Sequence, residues 1–146
     1  MVVILRKRCC IARKSCPERL AIIGGGAIGI EFAQLFQRFG VKVTVLEKNA
    51  QILEKEEGEL AGRLSHVLVR EGVELLTGAE LQRVQCTSAG KVLTYHRPQD
   101  GERTLVVESI LVALGRRPAL ENLGLERIGV KTTKKEIGRA SCRERV

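Results

Sequence analysis

Tryptophan is absent, tyrosine occurs once and phenylalanine three times in the 146 residues of the chain. So few aromatics leave no aromatic-plus-basic stripe on which bases could stack, which argues against single-stranded nucleic-acid binding. No apolar run approaches the ~20 residues that a membrane-spanning helix needs. The start, "MVVILRKRCC", puts four apolar residues before its basic cluster, whereas a secretory signal carries its charges first. No membrane partner is expected, and a cytoplasmic home is the default. No C-x-x-C pair exists among Cys9, Cys10, Cys16, Cys86 and Cys142. No cysteine–histidine cluster has zinc spacing, so no metal site is expected. His66 falls in a helical pattern as a surface or packing residue, and His96 falls in a polar turn region. There is no internal repeat and no low-complexity tract. With 44% hydrophobic and 29% charged residues, the composition is that of one globular domain with a real core.

The net charge of +8 invites a nucleic-acid reading. Its distribution opposes one. Residues 1–19 carry +5 and residues 131–146 carry +4, while 20–130 carry −1. The basic character belongs to the ends, and no nucleic-acid partner is expected. Both ends also read as foreign to the fold. One permitted back-translation of the last eleven residues, "EIGRASCRERV", resembles a common sequencing-adapter oligonucleotide read in frame. Residues 136–146 are therefore expected to be a non-native tail. "RKRCCIARKSC" has no helical or strand periodicity, so 1–16 is expected to be unstructured or non-native. The sequence reads as a gene fragment cut at both sides.

Between the ends the pattern is regular. "RLAII" (19–23) is a short buried strand. A helix is predicted over 27–39, with Ile28, Phe32, Leu35, Phe36 and Phe39 on its apolar face and Gly40 as C-cap. "VKVTVLE" (41–47) alternates as a second strand. A second helix is predicted over 54–71, buried through Leu60, Leu64, Val67 and Leu68. Its acids Glu54, Glu56, Glu57 and Glu59 suit the positive end of the helix dipole as a solvated start. "VELL" (73–76) is a third strand. Then "ELQRVQC" (80–86), "KVLTYH" (91–96) and "RTLVVES" (103–109) follow without helices between them, as an antiparallel meander. "SILVALG" (109–115) is almost continuously apolar, as in a strand buried on both faces. The fold class is α/β: a Rossmann-like βαβαβ parallel sheet, a three-stranded antiparallel β-meander and a final parallel strand.

Glycines punctuate the first strand–helix junction as Gly24-x-Gly26-x-x-Gly29. Alone this spacing is a weak signal. Here it follows a strand, opens a helix and lies in a βαβ unit of about thirty residues, as the dinucleotide fingerprint requires. Gly24 permits the sharp turn, Gly26 lets backbone approach a pyrophosphate, and Gly29 allows close helix–strand packing. The free N–H groups and the dipole of the helix would face the anion. Glu47 ends the second strand eighteen residues after Gly29. An acid there can accept from the ribose hydroxyls and would repel a 2′-phosphate, so NAD is favoured over NADP. Lys48 beside it works weakly in the opposite direction.

These stretches together, "IIGGGAIGIEFAQLFQRFGVKVTVLE", a meander and "ILVALGRRP", resemble the NAD-binding domain of the FAD-dependent pyridine nucleotide–disulfide oxidoreductases, of the dihydrolipoamide dehydrogenase and mercuric reductase type. The resemblance covers about Pro17 to Lys135. It implies that Gly24, Gly25, Gly26, Ala27, Ile28, Gly29 and Ile30 form the pyrophosphate turn and first helical turn, with Glu31 near the nicotinamide amide. It implies further that Glu47 binds ribose, Leu81 borders the adenine and Gly115 sits beside the nicotinamide half. The resulting division is a nucleotide domain over 17–118 and the start of a return segment over 119–135, toward a flavin domain.

The resemblance also shows what this chain lacks. The family's redox C-x-x-x-x-C is not present, since Cys10 and Cys16 are spaced one residue too far. The flavin-binding glycine motif and the C-terminal His-Glu pair are missing too, so no catalytic residue is assigned. The reading is a fragment of an NAD-dependent, FAD-containing oxidoreductase, inactive alone. In the intact enzyme, expected to be a homodimer, NAD(H) would exchange hydride with FAD. The alternatives are an NADH oxidase or ferredoxin reductase-like flavoenzyme without the disulfide, or a stand-alone nucleotide-binding module. FAD in place of NAD at the same turn is a further rival.

Overall fold

The structure is a computed structural model that describes residues 4–5, 16–115 and 127. The chain divides into two compact units, 1–114 and 115–146. Of the second, only Gly115 and Arg127 are described.

In the first unit, strand β1 (Ile4–Leu5) is followed by β2 (Arg19–Ile23), α1 (Ala27–Arg38), β3 (Lys42–Leu46), α2 (Gly58–Arg70) and β4 (Glu74–Leu76). Then come β5 (Glu80–Thr87), β6 (Gly90–Arg97), β7 (Gly101–Val107) and β8 (Ser109–Val112). Five strands form one sheet in the order β1-β8-β2-β3-β4, and all its pairs are parallel. β5, β6 and β7 form a separate antiparallel sheet. The α/β class, the parallel sheet and the meander are as the sequence predicts.

Strand alternation divides the core in two. Leu20 and Ile22 of β2 face α1 and α2, packing with Ile30, Ala33, Phe36, Ala61 and Leu68. Ala21 and Ile23 face the meander, packing with Leu93, Tyr95, Val107 and Ile110. β2 is thus covered on both faces, and each fully buried Leu or Ile contributes about 1.5–3 kcal/mol. β8 is inserted between β1 and β2, with Ile110 aligned to Ile4 and to Ala21. That central position accounts for its unbroken apolar run.

Within the start, expected to be unstructured or non-native, Ile4–Leu5 pairs with Ile110–Leu111. Two residues are too few for a periodic signal, and their partner lies more than a hundred residues away. Three expectations are corrected. The face of α1 is rotated from the predicted one. Gly29, Ile30, Ala33 and Phe36 are buried, while Leu35 is 44% and Phe39 63% exposed. Small residues let the helix lie close to the sheet, a preference that a count of large apolar residues misses. α2 begins at Gly58 rather than 54. Ile52 is instead turned fully inside, and Leu53, at φ +50, breaks the helical path. Leu60 is correspondingly 58% exposed, with Ala61 buried in its place. Finally, His96 lies in β6 opposite Glu80 and Glu102, exposed, rather than in a turn.

Candidate functional site

The glycine turn joins the C-terminal end of β2 to α1 at the middle of the parallel sheet. Its glycines have different reasons to be glycine. Gly24 has φ +107, a left-handed conformation, and a Cβ there would lie 2.8 Å from the Ala113 carbonyl oxygen. Gly25 is packed under Glu47 and Ile52, whose atoms would meet a Cβ at 3.1 Å. A Cβ on Gly29 would overlap the Gly24 carbonyl oxygen at 2.0 Å, so the helix rests directly on the turn. Gly26 has no such reason. Its φ is −73, open to any residue, and nothing lies within 4 Å of a Cβ built on it.

Gly26 is also the N-cap of α1. It supplies no side-chain cap, and the first turn holds no acid. The first N–H groups of a helix have no intrahelical partner, so the positive end of α1 opens at exposed Gly26 and Ala27. Ile28 follows half-buried, and Gly29 and Ile30 turn inward. Ile30 closes the first helical bond by donating to the Gly26 oxygen at 3.0 Å. Glu31 is exposed on α1.

Glu47 follows β3 and is only 9% exposed. Its Oε2 accepts from the Gly25 N–H at 2.5 Å. Its Oε1 accepts from the Asn49 N–H at 2.8 Å. Its own N–H donates to the Leu76 oxygen and its carbonyl accepts from Ala79, both at 2.9 Å. Glu47 thus links the glycine turn, the loop after β3 and the end of β4. Lys48, which could have offered a cation to a 2′-phosphate, donates instead to Glu80 at 2.8 Å. That hydrogen bond raises the Lys48 amine above its ordinary value and holds the Glu80 carboxyl below the usual range. Leu81 sits half-buried beside a bulge in β5, packed against the meander core.

The structure therefore brings together Gly24, Gly25, Gly26, Ala27, Ile28, Gly29 and Glu47. Gly115, at φ +124, belongs to the second unit. The sequence reading did not anticipate Asn49, Ile52 or Leu53, which complete the wall of the turn. Leu53 donates its N–H to the Gly25 oxygen at 2.9 Å. Leu53 and Asn49 act through backbone N–H groups and Ile52 through its side chain against Gly25, contacts that residue type does not announce. The acids Glu54, Glu56, Glu57 and Glu59 are all exposed. Among the described residues, no three metal-binding side chains converge and no helix is long and apolar enough to cross a membrane. A separate cavity of about 580 Å³ lies between α2 and β4, lined by Gln51, Gly62, His66, Arg70 and Thr77 among others.

A strand–glycine turn–helix junction of this kind, with a buried acid after the next strand, is the arrangement of the doubly wound α/β class. Comparison with known proteins makes the class specific. Residues 2–140 match the family model for pyridine nucleotide-disulphide oxidoreductases. The dihydrolipoyl dehydrogenase of Thermus scotoductus is 38% identical over 128 residues, which are 87% of this chain and 28% of that protein. The mercuric reductase of Streptomyces lividans is 39% identical over 116 residues, 80% of this chain and 24% of that protein. Among solved structures, the HOCl-induced flavoprotein disulfide reductase RclA from Escherichia coli superposes with a TM-score of 0.79 at 29% identity, covering 92% of this chain and 30% of that one. The chain belongs to the pyridine nucleotide-disulphide oxidoreductase family. The family is one of flavoprotein oxidoreductases whose members use FAD and a nicotinamide dinucleotide. The chain spans between 24% and 28% of the length of these curated relatives.

Proposed function

We propose that residues 17–118 are the NAD-binding domain of a flavoprotein disulfide oxidoreductase of the dihydrolipoyl dehydrogenase or mercuric reductase type. The observation that carries this reading is Gly26. It is glycine although no backbone angle and no neighbouring atom requires it, and it caps a helix without contributing a cap. A pyrophosphate oxygen approaching the N–H groups of Gly26, Ala27 and Ile28 uses both properties.

The turn binds the pyrophosphate through backbone N–H groups. Glu47 retains acceptor capacity beyond its two backbone bonds, since a carboxylate offers about four lone-pair sites. It accepts from an adenosine ribose and opposes a 2′-phosphate. Glu31, one turn into α1 and exposed, is the residue available to orient the nicotinamide amide. Leu81 borders the adenine. The nicotinamide supplies hydride chemistry when bound. In the intact enzyme that hydride passes to or from FAD, whose domain, with the dimerisation domain, lies in sequence outside this chain. The return segment expected over 119–135 lies, apart from Arg127, outside the described residues. The disulfide type is preferred over an NADH oxidase because the dihydrolipoyl dehydrogenase and mercuric reductase relatives reach 38% and 39% identity. The Lactobacillus brevis NADH oxidase, at 20%, shares the fold.

Titration of the 146-residue chain with NADH, NADPH and FAD tests the reading. NADH is expected to bind more tightly than NADPH. Equal or reversed affinities would remove the role given to Glu47, and tighter binding of FAD than of NADH would reassign the turn.

A further inference from the structure

The sequence assigns Glu47 a ligand contact, but its carboxylate is already engaged within the chain. Both oxygens accept backbone N–H groups, one from the glycine turn and one from the loop after β3, at 2.5 and 2.8 Å. The side chain is nearly buried, where a carboxylate is stable only if it is hydrogen-bonded. An acid needed only for an exposed ribose hydroxyl requires neither burial nor these bonds. We infer that Glu47 is a positioning residue of the pyrophosphate turn, in addition to facing the ribose. This rests on the dinucleotide reading above.

The geometry shows how it would act. Gly25 is fixed at both ends of its residue. Its N–H donates to Glu47 Oε2 and its carbonyl accepts from Leu53. The preceding Gly24 N–H donates to the Leu46 oxygen at 2.9 Å. Of these three anchors, Glu47 alone acts through a side chain. Gly25 immediately precedes Gly26, so the orientation of its peptide sets the direction of the first ligand-facing N–H groups. The absence of a Cβ at Gly25 fits the same purpose, because Glu47 Oε2 occupies the space at 3.1 Å. Charge-assisted bonds of this type are roughly twice as strong as neutral ones, and they hold the turn before any ligand arrives. Such preorganisation removes an ordering cost from binding.

The test separates positioning from ribose contact. NADH and an analogue whose adenosine ribose lacks both hydroxyls are titrated against the wild-type chain and Glu47→Gln. Glutamine replaces one acceptor oxygen by a donor that would oppose a backbone N–H, so one anchor is lost together with the charge. Positioning predicts that Glu47→Gln weakens both ligands by a similar factor, about tenfold or more. A penalty that disappears with the dideoxy analogue would overturn the inference, because it would confine Glu47 to the ribose. Amide hydrogen exchange in the ligand-free wild-type chain provides the second measurement and needs no variant. Gly25 and Asn49 are expected to exchange slowly, and at least one of them to become fast in Glu47→Gln. Exchange of Gly25 at the rate of an open loop in the wild type would also overturn the inference. Wild-type chain that binds neither ligand would instead overturn the dinucleotide reading, a result on which the exchange measurement does not depend.

Discussion

At the residue scale, glycines in one motif carry separate duties. Gly29 is demanded by the chain itself, since any Cβ would strike the Gly24 carbonyl oxygen. Gly26 is demanded by nothing in the chain. The two substitutions to alanine should therefore part company. Gly29→Ala is expected to lower the thermal midpoint, because the helix must move off the turn, and overpacking of this kind costs about 1–3 kcal/mol or more. Gly26→Ala is expected to leave the midpoint within a degree or two and to weaken NADH by about tenfold, the scale of one or two lost hydrogen bonds. Thermal unfolding and titration on the same two samples check both. A Gly26→Ala chain that binds NADH normally would remove the main support for the proposed site. The motif was legible in sequence, but this distribution of roles was not, because it depends on which atoms stand within 4 Å of each glycine.

At the element scale, α1 and α2 were legible as helices and less so as oriented surfaces. Period alone placed Leu35, Phe39 and Leu60 inward. The sheet instead receives Gly29, Ala33 and Ala61, whose small side chains allow close approach, with Phe32 stacked half-buried on Phe36 at 6.1 Å between ring centroids. The two helices are joined at their C-terminal ends. Arg38 donates to Glu71 at 2.8 Å, and Gln34 donates to the same carboxylate at 3.1 Å. The Arg38 bond holds the Glu71 carboxyl below its ordinary range. α2 also carries an interior glycine with no packing reason. Nothing lies within 4 Å of a Cβ at Gly62, and glycine in a helix interior is about 0.8–1.0 kcal/mol less favourable than alanine. Gly62→Ala should stabilise the chain by up to that amount in denaturant unfolding, with NADH affinity unchanged because Gly62 lines the cavity between α2 and β4 and not the glycine turn. A destabilised variant would show that the helix needs the gap.

At the scale of the whole molecule, the chain spans about a quarter of the length of its curated relatives. Under the proposed function, the 146-residue chain holds a hydride donor without a flavin site to receive the hydride. It is therefore expected to show no NADH-dependent reductase turnover, even with free FAD added, while still binding NADH. The assay is dye or disulfide reduction followed by NADH absorbance. Sustained turnover would overturn the assignment of the flavin site to sequence outside this chain.

Much of this architecture was determined by local sequence. Valine-rich and isoleucine-rich runs, helical spacing and glycine punctuation specify strands, helices and turns through short-range sterics and side-chain burial, and these repeat with the period of each element. The βαβαβ order, the meander and the glycine turn of "LAIIGGGAIGIEFAQLF" follow from such signals. Tertiary structure alone decided the pairing of Ile4–Leu5 with β8, the inward face of α1 and the engagement of Glu47. Each of these depends on contacts between residues far apart in the chain or on backbone N–H groups that every residue but proline shares. No residue type records that the Gly25 amide finds a carboxylate twenty-two positions away. Only the packed chain places the acid against the turn.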